Sequence, residues 1–144
     1  MFFLSLVEHT YRVFKSTWGI YIKIIAEYTS ISNYNEQDGI IEVCDGLKLV
    51  FANKQIVGED TIIDEDVIYL IEGLKKVSGQ ILSNSKYEKN TIIVIHSINI
   101  APCDFQEEGL VAAMIEWASI AFGFEVPPID VTFNKETNKY EFLY

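Results

Sequence analysis

Thr91-Ile92-Ile93-Val94-Ile95-His96-Ser97-Ile98-Asn99-Ile100 is the stretch on which the fold turns. Its first five positions are all β-branched, and alternation of polar and apolar residues follows. β-Branched side chains suit a pleated surface, and an unbroken apolar run marks a strand covered on both faces at its start. Such a strand needs pairing neighbours and a helical cover. The cover is legible just downstream, where the sequence predicts a helix over 105–122. Asp104 stands at its N-cap position with Glu107 three residues later, a capping-box spacing. Gly123 follows as the C′ residue, and Pro127-Pro128 blocks continuation. Its polar residues Glu108, Glu116 and Ser119 occupy a stripe about 80° wide on an ideal wheel, while Leu110, Val111, Met114, Ile115, Trp117, Ile120 and Phe122 fill the rest. A helix this apolar must be covered on most sides, which places it at the centre of the fold.

Upstream, residues 64–83 predict an amphipathic helix. Val67, Leu70, Ile71, Leu74, Val77, Ile81 and Leu82 share one half of the wheel; Glu72, Lys76, Gly79, Gln80 and Ser83 share the other. Thr61 or Asp64 supplies a cap, and Asp64-Glu65-Asp66 suits the positive end of the helix dipole. Ile40–Cys44 and Leu47–Phe51 read as a hairpin closed by Asp45-Gly46, a pair suited to a type I′ turn with positive φ at both central positions. The segment from Trp18 to Ser32, rich in Ile, Tyr and Thr, reads as a strand, whereas residues 2–15 show no clear period. Ile129–Phe133 and Tyr140–Tyr144 predict a C-terminal β-hairpin. The order is that of one α+β domain over 1–144, with a mostly antiparallel sheet and a β-α-β step around the second helix.

The chain has 144 residues, 49% of them hydrophobic and 22% charged, with no Pro/Gly/Ser-rich linker and no internal repeat. That composition excludes a disordered tail and a low-complexity linker. The N-terminal run Met1–Val7 lacks a basic flank and is stopped by Glu8 and His9, and no apolar stretch reaches the ~20 residues of a membrane span. The expectation is a cytoplasmic protein. Two cysteines, Cys44 and Cys103, without a C-x-x-C pair fit reduced thiols in such a compartment.

Catalytic and metal chemistry find little purchase. Cys103 before a helix start, with His96 as a base, is the one nucleophile pair available. The neighbouring Asp104 opposes a low thiol pKa, and no Gly-rich oxyanion turn accompanies the pair. Two His in the whole chain are too few for an ordinary zinc site. Glu59, Asp60, Asp64, Glu65 and Asp66 crowd five carboxylates into eight positions without calcium-loop spacing. No glycine-rich phosphate cradle occurs. These observations point to a non-enzyme without metal or cofactor.

Charge is the informative global feature. The net charge is −10, from 21 Asp+Glu against 11 Lys+Arg, with no basic run longer than Lys75-Lys76. Nucleic acid and anionic membranes are therefore poor partners, since both draw affinity from cationic contacts. Acidity is concentrated: residues 36–73 hold 10 acidic and 2 basic residues, and residues 104–144 hold 8 acidic and 2 basic. If the fold joins these blocks, they form one negative surface that steers a cationic protein. Glu59, Asp60, Asp64, Glu65 and Asp66, just ahead of a helix, are the expected partner-binding residues.

Asp104-Phe105-Gln106-Glu107-Glu108-Gly109-Leu110, then Ala113, Trp117, Phe122-Gly123-Phe124 and Pro128-Ile129-Asp130-Val131, resembles small bacterial immunity proteins of polymorphic toxin systems (Rhs, type VI and contact-dependent effectors). The resemblance covers about the last 40 residues. It implies an antitoxin that binds one cognate toxin domain, itself basic, and covers its active site. Two other readings stand beside it: a small cytosolic Cys/His-dependent enzyme, and a structural or assembly subunit whose exposed aromatics mediate oligomerisation.

Overall fold

The computed structural model describes residues 6–34, 39–52 and 62–144. The central strand lies where its apolar run places it. Five strands form one sheet in the order β1-β2-β5-β4-β3, with β1 Val7–Phe14, β2 Gly19–Ser30, β3 Ile41–Cys44, β4 Leu47–Phe51 and β5 Thr91–Ile100. Three neighbouring pairs are antiparallel; β4 and β5 run parallel. Thr91 to Ile95 are all buried. Ile93 and Ile95 join the main core, whereas Ile92 and Val94 pack with Val50 on the other face beneath Ile31, Tyr34 and Ile40.

Two helical segments, α1 Val67–Lys76 and α2 Ser78–Asn84, carry the chain from β4 to β5. The β-α-β step therefore surrounds the first helical region, not the second as expected. The reason is strand direction: β4 and β5 are parallel, so a crossover must join them. After the second predicted helix, α3 Gly109–Phe122, the chain instead enters a separate two-stranded sheet, β6 Asp130–Asn134 and β7 Lys139–Leu143. The architecture is α+β, mostly antiparallel, with a C-terminal hairpin.

The expected helix over 64–83 is divided. Asp64–Asp66 forms a single 3-10 turn, and α1 gives way to α2 at Val77, whose φ/ψ of −120°/19° leaves the helical region. There the Ser78 hydroxyl donates to the Lys75 carbonyl at 3.1 Å, a side-chain bond that competes with the helical ladder. The apolar face survives the break, because Leu70, Leu74, Val77 and Ile81 are all buried.

Helix α3 lies at the centre, with eleven of its fourteen residues buried. It begins later than its capping-box spacing predicts. Asp104 does not cap it: its carboxylate accepts from Gly19 N–H at 2.9 Å and its carbonyl accepts from Tyr21 N–H at 2.9 Å. The start of β2 outcompetes the helix for this side chain. Gly123, with φ of 78°, ends α3 in the left-handed conformation expected of it. The turn Asp45-Gly46 also differs from expectation. Only Gly46 takes positive φ (91°), and a register shift between Glu42 and Cys44 absorbs the difference.

The C-terminal hairpin is held by reciprocal hydrogen bonds. Gln106 Nε2 donates to the Tyr140 carbonyl at 2.7 Å, and Tyr140 N–H donates to Gln106 Oε1 at 2.8 Å. The Tyr140 hydroxyl donates to the Trp18 carbonyl at 2.6 Å, and the Trp18 and Tyr140 rings meet edge to face at 5.1 Å. Among the described residues no helix is long and apolar enough to cross a membrane.

Candidate functional site

Helical spacing explains how α1 and α3 build a common wall. Tyr69 and Glu72 stand three apart, as do Glu108 and Val111 flanking the start of α3, so each pair shares a face. The helices approach closely because Gly73 has no side chain: a Cβ there would lie 2.7 Å from the Val111 carbonyl oxygen. The end of β7 supplies the third wall. A groove of about 400 Å³ lies between them, lined by Tyr69, Glu72, Glu108, Val111, Tyr140, Glu141, Phe142 and Tyr144.

The groove joins the two acidic blocks of the sequence. Glu72 belongs to the first; Glu108 and Glu141 belong to the second. Desolvation first, then the carboxylates of Glu108, Glu107, Asp66 and Glu72, raise the Tyr69 phenol above its usual pKa. Burial, with Glu72 and Glu108 behind it, raises the Tyr144 phenol, and a backbone hydrogen bond from Ala112 opposes the rise. Both phenols therefore stay neutral at physiological pH. Oxygen Oε1 of Glu108 is buried and, among the described residues, has no hydrogen-bond partner. An unpaired buried carboxylate oxygen is costly, and a donor reaching it gains a charge-assisted bond. At the rim, Lys76 Nζ sits 4.8 Å from the centre of the Tyr144 ring, so this aromatic face already carries a cation.

The partner-binding residues read from the sequence fall differently. Glu59 and Asp60 lie outside the described residues. Asp64 and Glu65 are exposed. Asp66 is buried, and its Oδ2 accepts from Ile63 N–H at 3.3 Å, so it serves the helix start rather than a free surface. The groove residues Tyr69, Glu72 and Tyr144 escaped notice in the sequence. The only local signal is the i, i+3, i+6 spacing of Asp66, Tyr69 and Glu72; β7 comes from far away in the chain.

Other candidates are occupied or apart. His96 bonds Glu27 Oε2 at 2.7 Å. Four residues of strand, about 13 Å at the usual rise, separate His96 from the end of β5, and Cys103 lies in the turn beyond. Glu116 is engaged by His9 at 2.7 Å. Ser119, read as part of the narrow polar stripe of the helix, is buried and donates to the Glu116 carbonyl at 2.7 Å. Both cysteines are free thiols. Among the described residues no group of three or more His, Cys, Asp or Glu is placed to hold a metal ion. No family model and no curated protein matches the chain.

Proposed function

We propose that this chain is an immunity-type binding protein that neutralises a cognate bacterial toxin domain in the cytoplasm. It holds a cationic segment of that domain in the acidic, tyrosine-lined groove between α1, α3 and β7. The observation that carries the reading is the convergence of Glu72, Glu108 and Glu141, from two acidic blocks, around one concave surface. An arginine or lysine entering there meets the Tyr69 side chain and the carboxylates of Glu72 and Glu141 together. Acidity outside the groove attracts the same partner over longer range. The protein acts by occupation, without a reaction of its own. The resemblance of residues 104–131 to immunity proteins agrees with this reading.

The test is co-expression with the polypeptide encoded by the adjacent gene. Wild-type protein is expected to restore growth of cells that express that polypeptide, whereas a Glu72→Lys, Glu108→Lys double variant, folded by circular dichroism, does not. Equal protection by wild type and variant removes the groove from the account. Absence of toxicity from the neighbour, or of protection by the wild type, removes the immunity reading.

A further inference from the structure

Strand β1 is an edge of the main sheet, and its hydrogen-bond parity can be worked out from its neighbour. Gly19 and Tyr21 of β2 turn their N–H groups away from β1, to the carboxylate and the carbonyl of Asp104. The ladder between β1 and β2 therefore runs through the odd residues of β1, Val7, His9, Tyr11 and Val13, which pair with Ala26, Ile24, Ile22 and Ile20. By the same alternation, Glu8, Thr10, Arg12 and Phe14 point their N–H and C=O groups outward. No hydrogen bond to them from another described residue is present. Their side chains share the sheet face opposite the helices, where Arg12 lies 5.0 Å from the Tyr21 ring centre and Glu8 pairs with Lys23 at 3.3 Å.

The outward residues form a palindrome in chemistry. In an antiparallel pairing of this edge with itself about Thr10, Glu8 faces Arg12 of the other copy, Thr10 faces Thr10, and Leu6 faces Phe14. Opposite charges, paired threonines and paired apolar side chains are the cross-strand combinations that stabilise antiparallel ladders. The register also matches the parity, since the even residues, which offer their backbone groups outward, meet one another as the hydrogen-bonded pairs. Leu6, just ahead of the strand, and Phe14 at its end are 50% and 73% exposed, so both apolar side chains are open to a partner. A long, partly apolar edge whose outward groups no other described residue pairs is a template for another strand. Beside its C-terminal end, a cavity of about 420 Å³ lies between Tyr11–Lys15 and Ile129–Val131, so β6 does not seal the edge there.

We infer that this protein forms a two-fold symmetric dimer by antiparallel pairing of β1 with β1 of a second copy, in the register that places Thr10 against Thr10. The five-stranded sheet becomes a continuous ten-stranded one. The acidic groove between α1, α3 and β7 is left out of the strand pairing, so the dimer and the groove are separable.

Sedimentation velocity over a wide concentration range tests the dimer, and charge exchange tests the register. Wild type is expected to shift from monomer to dimer with rising concentration. Glu8→Arg alone and Arg12→Glu alone should each weaken the dimer at least tenfold. The double exchange, Glu8→Arg with Arg12→Glu, should recover wild-type association within about threefold, because the facing charges are again opposite. Thr10→Cys, in a Cys44→Ala, Cys103→Ser background, gives a readout independent of charge. Its two thiols meet across the axis with Cα atoms about 5.5 Å apart and should form an intermolecular disulfide under mild oxidation. A wild type that stays monomeric, a double exchange no better than the single changes, or a Thr10→Cys variant that does not cross-link overturns the inference.

Discussion

Trp117 and Tyr11 show how two buried aromatic residues of similar type serve different ends. Trp117 is fully buried, and its indole N–H donates to the Val7 carbonyl at 2.9 Å, tying α3 to the edge strand. Trp117→Ala is expected to cost about 3–5 kcal/mol, read as a fall in denaturant midpoint. Tyr11 is 5% exposed, yet its hydroxyl has no hydrogen-bond partner among the described residues. Burial first, then the charge of Glu116 and the nearby Tyr144, push its phenol above the ordinary value of 10.0. The unfolded chain therefore gives up this proton at lower pH than the native state, so stability falls as pH rises past about 10. Tyr11→Phe removes an unpaired hydroxyl without opening a cavity. It should raise stability by about 1 kcal/mol at neutral pH and soften the alkaline decline. Chemical denaturation at neutral pH and at pH 11 measures both effects.

Elements were legible where the cause was local. The period of 64–83, the apolar run at 91–95 and the Gly123 stop all act within a few residues. The run and the stop are met in the structure, and the period is met as one buried face although the helix is divided at Val77. Where a distant partner decides, local reading fails. Asp104 has the spacing of an N-cap but is taken by Gly19 and Tyr21, 85 and 83 positions upstream. The β-α-β step moved to the first helical region because strand direction depends on sheet order, which no local pattern encodes. Close approach of α1 and α3 is equally invisible in the sequence, since Gly73 reads there as one more small residue. A Cβ at Gly73 would press on backbone, so Gly73→Ala should cost about 1–3 kcal/mol by forcing the helices apart. The hairpin offers a second test at this scale. Gln106→Ala leaves both the N–H and the carbonyl of Tyr140 unpaired, and amide hydrogen exchange of β6 and β7 should accelerate well before that of β2 and β5. Uniform acceleration across both sheets would show that the hairpin unfolds only with the whole protein.

At the scale of the molecule, charge is organised rather than merely abundant. The sequence showed two acidic blocks but not whether they meet; α1, α3 and β7 bring members of both together. Two sets of carboxylates divide the expected work. Glu59, Asp60 and Glu65 precede α1, and neutralising them together should slow association with a cationic partner and flatten its salt dependence, as charges outside the contact do. Neutralising Glu72 and Glu108 should chiefly speed dissociation, because a buried pair is lost. Stopped-flow association and surface-bound dissociation, measured from low to high salt, separate the two. The most direct test needs no knowledge of the partner. Uniformly labelled protein is titrated with a short arginine-rich peptide while backbone amide resonances are followed by NMR. Salt-sensitive shifts concentrated at Tyr69, Glu72, Val111, Phe142 and Tyr144 are the predicted result. Shifts concentrated at 59–65, or spread evenly over every acidic residue, would contradict the groove as the binding site.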